Sequence, residues 1–284
     1  MFAHLHLFFC RYIQAIKKNK ASGVKPDGRK VISMSLYGKD SRYTWGVLRN
    51  AQLIPVYLPD WTLRVYVAAD PAPTALAVSS RIINKLRLLG TEIKFVSPRR
   101  NMAPRNWRLL VASEQNVDYF LVRDADTRLS SREADAIREW LLVAEKNRFQ
   151  SAAIIHCIRD HSEHAEQAIV DGLWGGQPRA LHQLMQQDIT HVNASCVTFN
   201  ASLSVNSADH DVMQRLLNQV IWLAVKNFSF CHDSVSPCDK WLPSTSRRPF
   251  SVPRQNWEYV GQKYDAHQQL ISKNGDMLKA DVVC

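Results

Sequence analysis

Apolar residues gather along this chain in short runs, separated by longer stretches of mixed polarity. Val31–Leu36, Leu63–Ala69, Glu92–Val96, Tyr119–Val122 and Ala152–Ile158 are the short runs. Each has the length of a strand, and all are mainly apolar, as strands covered on both faces are. Arg42–Leu53, Thr74–Leu89, Ser131–Lys146, Arg179–Gln187 and Asp209–Asn227 carry apolar residues at helical spacing. Thr74 is a candidate N-cap and Gly90 a C-terminal glycine for the second of these helices. Ser130 or Ser131 can cap the third, with Glu133 in its first turn. Asn106–Leu110 reads as a helix front, Gly172–Gly176 as a tight loop, and Val192–Val205 as irregular to strand-like. Strands alternating with helices over the first two thirds predict an α/β fold with a mostly parallel, Rossmann-like central sheet flanked by helices.

One domain is expected over residues 30–264, an N-terminal helix and linker over 1–29, and a C-terminal tail over 265–284. Met1–Ile16 is apolar and aromatic but interrupted by Arg11, too short for a spanning helix. It lacks a basic start and a small-residue cleavage site, so a secretory leader is not expected. Lys17, Lys18 and Lys20 follow, so residues 1–20 fit peripheral contact with a membrane surface or a loosely packed N-terminal helix.

The formal net charge of +10 points to anionic partners. The basic residues are scattered and no zinc-finger or RNA-binding-sheet motif accompanies them, so nucleic acid is not the expected partner. Six cysteines without a CxxC pair suggest neither a disulfide framework nor a zinc site, and favour a reducing compartment. A cytoplasmic location is expected, with the inner membrane face as a peripheral site and a Golgi lumen as the weaker choice.

The candidate chemistry centres on Tyr119–Arg132, where an apolar strand ends in Asp124-Ala125-Asp126. In open α/β sheets, ligands bind beyond the carboxyl ends of the strands. On an extended backbone residues i and i+2 face the same way, so both carboxylates could meet one cation, Mn²⁺ or Mg²⁺, together with substrate phosphates. The alternative is two acids that cap the next helix and face water. Tyr37, at the end of the first strand, could stack against a nucleotide base. Arg99, Arg100, Arg105 and Arg108 lie close together, and arginine forks suit phosphate oxygens. Asp160 and His161 end a further strand and could touch donor or acceptor. Trp174 offers a flat face to a sugar ring, and Gly175 a close backbone approach.

Val-Arg-Asp-Ala-Asp-Thr-Arg-Leu-Ser, at Val122–Ser130, resembles the Asp-x-Asp segment of GT-A-type glycosyltransferases. The chain is most similar to a largely uncharacterised group of sugar transferases. Ser35-Leu36-Tyr37-Gly38 with Arg42–Gly46, Arg159-Asp160-His161 with Gly172–Gly176, and Cys231-His232-Asp233-Ser234 extend the likeness from Lys30 to Tyr264. The resemblance implies a GT-A-like nucleotide-diphospho-sugar transferase fold. It also implies metal-dependent transfer of a sugar from a nucleotide-diphosphate donor, a UDP-sugar by expectation, to a hydroxyl of a glycan or lipid-linked glycan. It makes Asp124, Asp126 and His232 the metal ligands. Tyr37 and Arg108 become donor contacts, His161, Trp174 and Gly175 acceptor contacts, and Asp160 and Asp211 (or Asp209) candidate bases. The rival functions are a non-catalytic nucleotide- or glycan-binding protein of the same fold and a nucleotidyltransferase. Tyr37-Gly38-Lys39 is a thin substitute for the phosphate-cradling loop the latter needs.

Overall fold

A computed structural model describes residues 28–97, 102–114, 116–146, 153–187, 210–237, 240–241, 247–254 and 258–271. The predicted α/β architecture is present, as one mostly parallel sheet flanked by helices. Its strands are β1 (Lys30–Ser35), β2 (Trp61–Ala68), β3 (Glu92–Val96), β4 (Tyr119–Arg123), β5 (Ile155–Arg159), β6 (Leu173–Gly176), β7 (Ser229–Asp233) and β8 (Arg247–Arg248). They lie in the order β3-β2-β1-β4-β6-β5-β7-β8. Every pairing is parallel except those of β6, which runs antiparallel to both β4 and β5.

The helices are α1 (Ser41–Tyr57), α2 (Ser80–Leu88), α3 (Ser131–Lys146), α4 (Pro178–Gln187), α5 (His210–Leu216) and α6 (Trp222–Val225). A π turn at Leu217–Ile221 joins the last two, and a 3₁₀ helix spans Pro104–Ser113. The two faces of the sheet have separate cores. Val31, Phe120 and Val122 join Trp107, Trp174 and Trp222 on one side. Ile32, Met34 and Leu121 join Val47, Ile137 and Trp140 on the other. Neighbours along β1 and β4 thus point into different cores, which is why those strands read as largely apolar runs, broken within β1 by Ser33 and Ser35.

Caps fix the helix starts. Asp40 accepts from the Arg42 amide at 2.8 Å and opens α1. Ser130 accepts from the Glu133 amide at 3.2 Å and opens α3. The second helix begins at Ser80 behind a Ser79 cap, not at Thr74, because the Pro73 carbonyl closes turns to Leu76 and Ala77. The sequence expectation of a loop at Gly172–Gly176 is overturned, since Leu173–Gly176 is strand β6. Its glycines are required by closeness. A Cβ on Gly175 would strike the Phe120 carbonyl, and one on Gly176 would lie 2.8 Å from Ile155 Cδ1.

Candidate functional site

The strand order reverses between β1 and β4: β2 and β3 follow β1 to one side, and the remaining strands extend to the other. The crevice beyond the carboxyl ends of such a pair is where ligands bind in open α/β sheets. Tyr37 follows β1, Asp124 and Asp126 follow β4, and the 3₁₀ helix lies alongside. Two β1 serines seat that helix. Ser33 Oγ donates to the Arg108 carbonyl at 2.6 Å, and the Arg108 amide donates to Ser35 Oγ at 2.8 Å. The Arg108 side chain is thereby directed to the end of β4.

Arg108 is buried and forks between two acids. It pairs with Asp124, and at 2.8 Å with Asp171 Oδ1. Arg105 meets the other Asp171 oxygen at 3.2 Å. Arg42, from the first turn of α1, pairs with Asp126. Burial alone would raise the Asp124 pKa, but Arg108, then Lys263 and Arg105, outweigh it and the pKa is lowered. Burial likewise disfavours charge on Arg108, yet Asp124 and Asp171 raise its pKa. The Tyr37 and Tyr43 hydroxyls, both half-exposed at the mouth, are pushed up first by burial, then by Tyr43 and by Asp126 respectively. Gly172 lies directly under Asp124: a Cβ there would stand 2.6 Å from Asp124 Oδ2.

The two acids do not share an extended strand. Asp124 follows the last residue of β4 and Asp126 sits in the turn after it. Asp126 is buried, whereas 28% of the Asp124 side chain remains exposed. Each carboxylate has one oxygen on an arginine and one without a partner among the described residues. A pair of hard carboxylate oxygens suits Mg²⁺ or Mn²⁺ when phosphates supply further ligands. The arginines oppose a preformed cage, because a cation would have to share both carboxylates with them.

The third expected metal ligand is elsewhere. His232 lies on β7, three strands from β4, or roughly 14 Å at ordinary strand spacing. Its Nδ1 faces His156 Nε2 at 3.0 Å and its Nε2 faces Glu139 at 3.2 Å. Among the described residues no three His, Cys, Asp or Glu side chains gather as a metal site.

Asp160 is also misread as a base. It is wholly buried, bound by Arg132 through both oxygens at 2.7 and 2.9 Å, by Arg254 at 2.9 Å and by Ser234 at 2.6 Å. The Val260 amide donates to it at 3.0 Å. With both oxygens taken by arginines, a hydroxyl and an amide, it is a clasp for the C-terminal segment. His161 is buried and stacks on Tyr259 with ring centres 4.2 Å apart. Trp174 is buried against Phe120, edge to face at 5.2 Å, and cannot offer its ring to a sugar. Gly175 is inside the sheet at the Leu121 register. Asp211 lies in α5 but its side chain, like Asp209, Arg99, Arg100 and residues 1–27, is outside what the structure describes.

The mouth brings together Tyr37, Arg108, Asp124 and Asp126, along with Arg42, Tyr43, Asp171 and Lys263. Arg42 and Tyr43 stood inside a segment already noted, Arg42–Gly46. Asp171 immediately precedes the glycine under Asp124, but no local pattern marked it.

Two histidines of lowered pKa, His156 and His164, give the fold a pH dependence. Burial, with His232 and Arg123 nearby, keeps the His156 pKa well below its usual range. Burial and His161 push that of His164 down to about 4. In the unfolded chain both protonate near 6.5, so below about that pH the unfolded state binds more protons and stability rises with pH. The melting temperature should fall steadily as pH drops from about 7 to about 5, and level off above 7. Thermal melts across that range check it; a protein that gains stability on acidification contradicts the assignment.

No family model matches the chain, and no curated protein matches it. Solved structures give partial likenesses. A mannosyltransferase, PcManGT, from Pyrobaculum calidifontis in complex with GDP-Man and Mn²⁺ aligns over 90% of this chain and 67% of its own, at 11% identity and a TM-score of 0.42. Core-mannan synthase A of Aspergillus fumigatus, in an Mn/GDP form, aligns over 85% and 82%, at 8% identity and a TM-score of 0.39. A hydrogen sulfide-producing enzyme from Fusobacterium nucleatum covers 53% of this chain and 39% of its own, at 14% identity and a TM-score of 0.23.

Proposed function

We propose that the chain transfers a sugar from a nucleoside-diphosphate donor to a hydroxyl acceptor, with the donor diphosphate lying at the mouth between β1 and β4. One observation carries this reading: Arg105 and Arg108, anchored by Asp171 and Asp124, stand at the switch point of a parallel sheet. Anchored guanidiniums meet a diphosphate without first being ordered. Tyr37, half-exposed at the end of β1, offers a ring to the base; nothing in a tyrosine face selects uracil, so the donor is a nucleoside diphosphate of unspecified base.

Mn²⁺ or Mg²⁺ would be held by the free oxygens of Asp124 and Asp126 together with donor phosphates. When bound it would offset the charge that builds on the departing diphosphate. The chain's own residues orient the donor: Arg108 and Arg105 fix the phosphates, and Arg42 keeps Asp126 in place. Asp160 is committed to arginines, and Asp211, or Asp209, is the proposed base. A glycan or lipid-linked glycan is the proposed acceptor, and residues 1–20 the proposed membrane contact; no described helix is long and apolar enough to cross a membrane.

The test is release of nucleoside diphosphate from a panel of nucleotide sugars, with Mn²⁺ and with a chelator. The reading expects release that stops with chelator and falls at least about a hundredfold in Asp124→Asn, the scale of losing transition-state charge stabilisation. Undiminished release in both conditions would remove the metal role. A second reading has one feature in its favour: both carboxylates are already neutralised by arginine, as suits a nucleotide-binding protein without turnover. Thermal stabilisation by nucleotide sugar with no diphosphate released would select it.

A further inference from the structure

Residues 258–271 run across the mouth as a strap. The Tyr264 amide donates to the Asp126 carbonyl at 3.0 Å, and Lys263 forms an antiparallel bridge with Thr127. Arg128 reaches Gln268 at 2.5 Å and lies over the Tyr264 ring at 4.7 Å. The Ile271 amide returns to the Lys263 carbonyl at 2.9 Å, which folds the strap back on itself. At its near end the Val260 amide is tied to buried Asp160. The turn that carries both acids is thus bound to the strap at Asp126 and at the two residues after it, and Lys263 arrives at a fixed place.

Charge at the mouth is unbalanced. Three aspartates (Asp124, Asp126, Asp171) stand among five cations (Arg42, Arg105, Arg108, Arg128, Lys263). Arg42, Arg105 and Arg108 are each paired with an aspartate. Arg128 donates to the Thr127 carbonyl at 2.7 Å and to Gln268, so it serves the strap. Lys263 is exposed and has no carboxylate partner among the described residues. Its charge is felt from both directions: it helps lower the pKa of Asp124 on one side and of His164 on the other.

We infer that the strap is a wall of the donor site and that Lys263 is its anion contact, joining Arg105 and Arg108 on the donor diphosphate. This rests on the donor site proposed above and adds a binding residue to it. An ammonium is a mobile point charge on a long stem, suited to closing on a phosphate that paired arginines have already oriented. The excess positive charge favours an anionic ligand, and a divalent ion on Asp124 and Asp126 would add to that excess.

Calorimetric titration with three probes tests it: inorganic pyrophosphate, a nucleoside diphosphate and the corresponding nucleoside. Lys263→Gln should weaken pyrophosphate and nucleoside diphosphate by roughly 10- to 100-fold, the range for a hydrogen bond to a charged group. Nucleoside binding should be unchanged, and Lys263→Arg should recover most of the loss. A merely structural lysine would alter all three probes together or none. Equal pyrophosphate affinity in wild type and Lys263→Gln overturns the assignment while leaving the donor site standing. Failure of wild type to bind either phosphate probe overturns both.

Discussion

Replacing Arg108 by alanine should both weaken the fold and abolish nucleoside-diphosphate binding. The guanidinium is buried between Asp124 and Asp171, and removing it leaves two carboxylates facing each other with their shared counter-charge gone. Breaking a buried pair by deleting one partner costs about 3–5 kcal/mol. Arg105 still meets Asp171, so the loss falls mainly on Asp124. Arg108→Lys separates the two effects. It restores a positive charge but cannot fork to two acids, so stability should recover in part while binding stays at least about tenfold weak. Chemical denaturation beside nucleotide titration reads both. Wild-type affinity in Arg108→Lys would mean that the phosphate lies elsewhere.

The second large effect belongs to Asp160. Asp160→Ala removes the acceptor for Arg132, Arg254, Ser234 and the Val260 amide at once. Two buried or nearly buried arginines lose this carboxylate, and the strap loses its anchor. The expected loss is about 3–5 kcal/mol in unfolding free energy, on the scale of a broken buried ion pair. Proteolysis should open the chain near residues 258–271 before the sheet unfolds. A catalytic Asp160 would behave differently, with turnover lost at unchanged stability. A melting temperature within a degree or two of wild type would restore the catalytic reading.

Much of the sheet could be read from residue order because its central strands are covered twice. β1 and β4 feed both cores, so apolar residues fill both faces of each, and the serines of β1, Ser33 and Ser35, are the positions that hold the 3₁₀ helix. Helix α3 begins and ends where its serine cap and apolar stripe place it. β6 escaped because its glycines mark close backbone approach to β4 and β5, and that need exists only once those strands are side by side. The acids at 124 and 126 were legible as strand-end residues. Their arginines were not, since Arg42 and Asp126 are 84 positions apart and nothing local joins them. His232 was carried over from a resemblance in linear order. The sheet inserts β6 and β5 between its strand and β4, so position late in the chain did not bring it to the acids. Trp174 looked like an exposed platform because it stood among glycines, whereas strand pairing turns its ring into the core.

A crystal structure grown with a nucleoside diphosphate and Mn²⁺ bears most directly on where the donor lies. Diphosphate density within hydrogen-bond reach of Arg105, Arg108 and Lys263, with the anomalous signal of manganese beside Asp124 and Asp126, is the expected result. Nucleotide bound away from the β1–β4 mouth, or a mouth still closed by its arginine–aspartate pairs with no ligand at saturating concentration, would contradict it.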